Sequence, residues 1–132
     1  MSGAESSPIR VVIADDVDDV RLVMKLSLLD AGGFEVVGEA ADGSEACDVV
    51  LATDPDLLLL DLAMPRVDGL QAIERLKKEA PRTKIVVLSN QGRALIAEAM
   101  DRGADAFLDK TGTFELIPLL RGVVSGTGDQ PQ

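Results

Sequence analysis

The chain has 132 residues, 46 % of them hydrophobic and 27 % charged, with a formal net charge of −10 at pH 7. That length suits one compact domain with its own core, and the apolar share argues for a packed globule rather than a disordered segment. The acidic balance argues against direct nucleic-acid binding, which needs a basic footprint, and a single cysteine with no histidine leaves too few ligands for a structural zinc site.

"RVVIAD" (10–15) is β-branched and apolar and predicts a buried strand. Leu22, Val23, Leu26 and Leu29 then recur at helical spacing between Asp18 and Asp30, and Gly32–Gly33 stops that helix. "FEVVGEA" (34–40) reads as a second strand, and "DGSEACDVVLA" (42–52) as a short helix after a Gly/Ser turn. The third strand, Asp56 to Asp61, contains four consecutive leucines without alternation, so both of its faces should be covered. Pro65 and Gly69 bracket a turn into a helix carrying Leu70, Ile73 and Leu76. "KIVVLS" (84–89) predicts a fourth strand, "RALIAEAMD" (93–101) a helix closed by Gly103, and "DAFLD" (105–109) a fifth strand. A last helix is expected from about Phe114 to Val124, with Pro118 bending its first turn. Residues 1–8 and 125–132 read as loose tails around one domain at 9–124.

Five strands alternating with five helices predict an α/β fold, a doubly wound parallel sheet with right-handed crossovers. The only aromatic residues are Phe34, Phe107 and Phe114, so its core is expected to be aliphatic. No apolar stretch approaches the ~20 residues that span a bilayer, and "MSGAESSPIR" contains no hydrophobic segment of a secretory signal. The expectation is a cytoplasmic protein without membrane contact.

The polar residues of the predicted strands gather at their carboxyl ends: Asp15–Asp16, Asp61, Ser89–Asn90 and Asp109–Lys110. Open α/β sheets bind ligands at that edge, where the strand order reverses. With strand order 2-1-3-4-5, Asp15, Asp16 and Asp61 converge on one cavity, with Ser89 and Lys110 beside it. An ionised aspartate at the end of an apolar strand is costly unless it is compensated, and three together repel one another. A hard divalent cation removes that conflict, and Mg2+ suits a site with few carboxylates and room for phosphate oxygens. An aspartate beside such an ion and a lysine can act as a nucleophile toward phosphorus.

Taken singly, each residue has a plainer reading. Asp16 and Asp18 could be helix cap and first-turn acids, Ser89 a turn former, Lys110 a solvated charge and Phe107 a core residue. Cys47 reads as a quiet, partly buried hydrophobe, since no histidine is present to activate it. What favours chemistry is their joint placement at one edge of one sheet.

"IADD" (13–16), "LLDLAMPRVDGL" (59–70), "VVLS" (86–89) and "GADAFLDK" (103–110), in that order, resemble a response-regulator receiver domain of the CheY-like family. "VVGEAADGSEA" (36–46) is similar to the receivers of NarL-type transcriptional regulators. The resemblance implies a flavodoxin-like three-layer sandwich. It implies Asp61 as phosphoacceptor, and Asp15, Asp16, Asp61 and the backbone carbonyl of Ala63 as ligands of Mg2+, with Mn2+ as a substitute. It further implies Ser89 as the switch hydroxyl, Lys110 as the partner of the acceptor or its phosphoryl group, and Phe107 as the aromatic whose rotamer reports phosphorylation. The expected donor is a histidine kinase or histidine phosphotransfer protein, and phosphorylation-dependent homodimerisation is a further expectation. Thr111 departs from the family, which often has proline after the lysine. Ala63 and Gln91 stand where the family tunes dephosphorylation.

On this reading the chain is a phosphoacceptor signalling domain with self-phosphorylation and self-dephosphorylation chemistry, not an enzyme in its own right. One alternative is an interaction module that keeps the fold and works without phosphorylation. Another is a Mg2+-dependent phosphohydrolase; those enzymes place a second aspartate two residues after the nucleophile, where this chain has Ala63.

Overall fold

A computed structural model describes residues 7–62, 69–89, 93–109 and 116–125. Strands β1 (Ile9–Ala14), β2 (Phe34–Ala40), β3 (Leu57–Asp61), β4 (Lys84–Ser89) and β5 (Ala106–Asp109) form one sheet in the order β2-β1-β3-β4-β5. Every pairing is parallel. Helices α1 (Asp18–Ala31), α2 (Gly43–Thr53), α3 (Gly69–Glu79), α4 (Arg93–Asp101) and α5 (Leu116–Ser125) alternate with the strands. The expected doubly wound α/β fold, flavodoxin-like in strand order, is what forms.

Alternate residues of the central strands serve opposite faces. Val12, Ala14, Leu58, Leu60, Ile85 and Val87 pack with α2, α3 and α4. Val11, Ile13, Leu57, Leu59, Val86 and Leu88 pack with Leu28 of α1 and with Leu116, Leu120 and Val123 of α5. This explains the leucine run: a strand covered on both faces gains from an apolar side chain at every position. Leu57 to Leu60 are all fully buried.

The helices are less legible. The apolar residues that recur along α1 are its solvent side, with Leu22, Val23, Leu26 and Leu29 exposed by 48, 62, 54 and 73 %. Leu28 and Met24 face the core instead. Helical spacing says which residues share a stripe but not which stripe the sheet covers. Pro118 is the third residue of the described α5. Residues 116–125 are α-helical through Pro118, and the start of the expected helix at Phe114 lies outside the described residues.

Two packing details yield tests. A Cβ added at Gly38 of β2 would stand 2.4 Å from Cγ1 of Val49 on α2. Valine cannot swing a branched methyl away freely, so Gly38→Ala is expected to destabilise the fold by about 1–3 kcal/mol. Urea denaturation would show this as a lower midpoint at unchanged slope, and an unchanged midpoint would refute it. Cys47 of α2 is 2 % exposed, and burial pushes its thiol above the ordinary range, a rise that Arg75 only partly opposes. The thiolate is the reactive form, so iodoacetamide should modify Cys47 in urea and leave the native protein untouched. Equal rates in both states would contradict this burial.

Candidate functional site

Asp61 is the last residue of β3 and is 2 % exposed. It stands in register with Leu88 of β4, and the next N–H, that of Leu62, donates to the Leu88 carbonyl at 3.0 Å. Its position therefore follows from the central ladder and not from a loop.

Asp15 follows β1 and is fully buried. Its N–H donates to the Ala40 carbonyl at 3.0 Å, and its Oδ1 accepts the Val17 N–H at 2.9 Å. That second bond closes a tight turn over Asp16, which is exposed. The helix then begins: Val17 is the N-cap without a side-chain capping bond, and Asp18 and Asp19 occupy the first turn. The plain first-turn role accordingly fits Asp18, whose charge favours a helix N-terminus, while Asp16 precedes the N-cap and does not fill the capping position.

The two neighbouring central strands bring the acids together. Asp15, Asp16 and Asp61 each offer a carboxylate oxygen, and these three atoms lie within 4.8 Å of one another. At 4.8 Å, two like unit charges repel by about 3.5 kcal/mol with an effective dielectric constant of about 20. Asp15 and Asp61 are both buried, so bulk water screens them poorly. A hard cation would turn this repulsion into attraction. The three donors are all carboxylate oxygens, which suit a hard, oxygen-preferring cation rather than a metal preferring nitrogen or sulfur.

Ser89 ends β4, is 1 % exposed and stands in register with Asp109 at the end of β5. Phe107 is on β5 opposite Val87 and is half-buried against the cluster that Val87 joins. Of the residues singled out in the sequence, the structure thus gathers Asp15, Asp16 and Asp61 and sets Ser89 and Phe107 on the adjoining strands. Ala63 and Lys110, like Gln91 and Thr111, lie outside the described residues.

Sequence reasoning passed over Arg21. Its side chain, 13 % exposed, donates through Nε to Glu39 Oε1 at 2.9 Å, through one terminal nitrogen to the Asp15 carbonyl oxygen, and through the other to Asp18. Burial opposes its charge, and the bonds to Glu39 and Asp18 more than offset that, holding the guanidinium pKa above its ordinary value. The three-residue spacing from Asp18 was a visible helical signal. The Asp15 carbonyl and Glu39 are brought to it only by folding.

Residues 11–119 match the family model described as the response regulator receiver domain. The chain is 41 % identical over 110 residues to a transcriptional regulatory protein of Bacillus subtilis, YhcZ, a match covering 82 % of this chain and 51 % of that one. It is 37 % identical over 102 residues to the chemotaxis protein CheY of Thermotoga maritima, covering 76 % of this chain and 84 % of CheY. Among solved structures, the signal receiver domain of NarL from Mycobacterium tuberculosis is similar, with a TM-score of 0.87 and 32 % identity over 92 % of this chain and 99 % of that one. The chain spans about half the length of the transcriptional regulators it matches.

Proposed function

This chain belongs to the response-regulator receiver-domain family, and from that premise we propose that it is a phosphoacceptor switch in which Asp61 takes a phosphoryl group in the presence of Mg2+. The observation carrying this reading is the convergence of three carboxylates at the carboxyl edge of β1 and β3, with Asp61 almost wholly buried.

Asp15, Asp16 and Asp61 would hold the metal, with the Ala63 carbonyl as the remaining protein ligand. When bound, the ion neutralises charge on the carboxylates and on the incoming phosphoryl oxygens. The rest is the work of the chain. A carboxylate oxygen of Asp61 attacks phosphorus in line, the bond to the leaving nitrogen of a phosphohistidine breaks, and the electron pair stays with the imidazole. These 132 residues contain no histidine, so the donor imidazole lies outside them, and we take it to be that of a histidine kinase or histidine phosphotransfer protein. The Ser89 hydroxyl and the Lys110 ammonium would receive phosphoryl oxygens. The new group brings roughly 1.5 to 2 negative charges, to which Ser89, Lys110 and Phe107 would respond by altering the surface around α4, β5 and α5.

The apolar side of α1 begins at Val17, beside the acidic loop, and offers such a donor a surface next to the acceptor. Homodimerisation on phosphorylation remains part of this proposal, as does a cytoplasmic location. Among the described residues no helix is long and apolar enough to cross a membrane. Catalytic turnover and nucleic-acid binding by this chain are not part of the proposal.

Incubation with acetyl phosphate and Mg2+, followed by intact-mass measurement, tests it. One phosphoryl adduct that disappears with chelation of the metal is the expected result. No adduct, together with no trapping by beryllofluoride, would replace this reading with a phosphorylation-independent interaction module.

A further inference from the structure

We propose that Arg21 is the positioning residue of the acidic loop, fixing the backbone that carries Asp16 so that its carboxylate meets those of Asp15 and Asp61 at a bound cation. The inference rests on the reading of those three acids as a Mg2+ site.

Asp16 is the exposed member of the trio, so surrounding side chains do not pack it into place. Its direction depends on the peptide that precedes it. That peptide runs from the Asp15 carbonyl to the Asp16 N–H and is planar, so holding the carbonyl oxygen restricts where the Asp16 Cα and carboxylate can go. Arg21 holds that oxygen from α1. The residue before the peptide is tied on both sides as well, by its N–H to Ala40 and by its carboxylate to the Val17 N–H.

The anchor of Arg21 is itself anchored. Glu39 lies on β2 in register with Ile13 of β1. It accepts Lys25 Nζ at 2.7 Å through Oε2 while Arg21 occupies Oε1. The bond to Lys25, more than that to Arg21, keeps the Glu39 carboxyl below its ordinary pKa despite its partial burial. The result is a chain of contacts from the sheet, through Glu39 and Arg21, to one backbone carbonyl between two of the acids. A guanidinium is suited to it, because its planar fork serves three acceptors in different directions, which the single ammonium of lysine cannot do in the same geometry.

A plainer role would be to fasten α1 to β2, with no consequence for the acids. A third possibility is purely electrostatic. A cation this close to the loop should weaken binding of another cation, so removing it should tighten metal binding. The positioning role predicts the opposite sign, and the sign decides.

The experiment is titration of 15N-labelled protein with MgCl2 alone, following amide shifts, for wild type, Arg21→Met, Arg21→Lys and Glu39→Gln. Thermal unfolding without metal is recorded beside it. Arg21→Met keeps the apolar stem and should raise the Mg2+ Kd about tenfold, the lower end of what losing a supporting partner of a metal ligand costs. The measurement is made far below the unfolding midpoint, so lost stability cannot produce the change. Arg21→Lys should restore only part of the affinity. Glu39→Gln should shift Kd in the same direction by less, and it carries the test if Arg21→Met does not fold. A Kd in these variants equal to or below that of wild type overturns the role of Arg21 while leaving the acids as the metal site. Absence of Mg2+-dependent shifts in wild type overturns both.

Discussion

Asp61→Asn is expected to gain no phosphoryl group under conditions in which the wild-type protein gains one from acetyl phosphate and Mg2+. The substitution is nearly isosteric and replaces a carboxylate by an amide, which is not a nucleophile toward phosphorus. The fold should survive it. Asp61 is at the end of β3, where the backbone pairing with β4 continues through the Leu62 N–H regardless of the side chain. The side chain is close to the same size and shape, so Asp61→Asn should fold as wild type does without Mg2+. Intact mass together with a thermal melt separates the two statements. Undiminished labelling of the variant would place the acceptor elsewhere and sink the assignment. Lost labelling with a collapsed melt would show only that the variant is unfolded, in which case Asp61→Glu, retaining the charge one methylene further out, is the control to read.

Leu59→Ala is expected to cost about 2–5 kcal/mol of folding stability, a large part of the ~5–15 kcal/mol that holds a domain of this kind together. Leu59 is fully buried in β3, between its strand neighbours Leu58 and Leu60 and in the cluster with Ile13, Leu28, Val86 and Leu120. Neighbours on a hydrogen-bonded ladder cannot collapse into the space it leaves, so a cavity term adds to the lost transfer energy. The comparison that gives the number meaning is Leu26→Ala on α1. Leu26 is 54 % exposed, and surface substitutions usually stay within about 0.5 kcal/mol. The two variants delete the same atoms from the same residue type. Denaturant midpoints that shift equally would contradict the assignment of Leu59 to the core and of Leu26 to the solvent face.

That pair also marks where sequence reasoning stops. The central strands stood out as short apolar runs because both of their faces are covered, so Leu57 to Leu60 are apolar throughout, without the pattern of an amphipathic helix. The carboxylates at the strand ends stood out for the same reason, as charged residues abutting runs that tolerate none. In α1 the spacing gave the helix but not its orientation: Leu22, Val23, Leu26 and Leu29 face solvent, while Leu28 and Met24 meet the sheet. A helix has several faces and its own sequence does not say which one a neighbour will cover.

The local chemistry of this protein was therefore written in its sequence: five apolar strands with their alternation into helices, the acids at the carboxyl ends of β1 and β3, and Ser89 at the end of β4. These depend on residue type and spacing along a few residues, which one-dimensional order preserves. Only the tertiary structure supplied the strand order on which the meeting of those acids depends, and what supports them. The order β2-β1-β3-β4-β5 makes β1 and β3 neighbours although α1, β2 and α2 separate them along the chain, bringing Asp15, Asp16 and Asp61 within metal-binding distance. The β1-α1-β2 unit brings Glu39 of β2 to Arg21 of α1, a contact across eighteen residues that neither residue announces. Long-range pairing of this kind arises because the sheet must bury both of its faces at once.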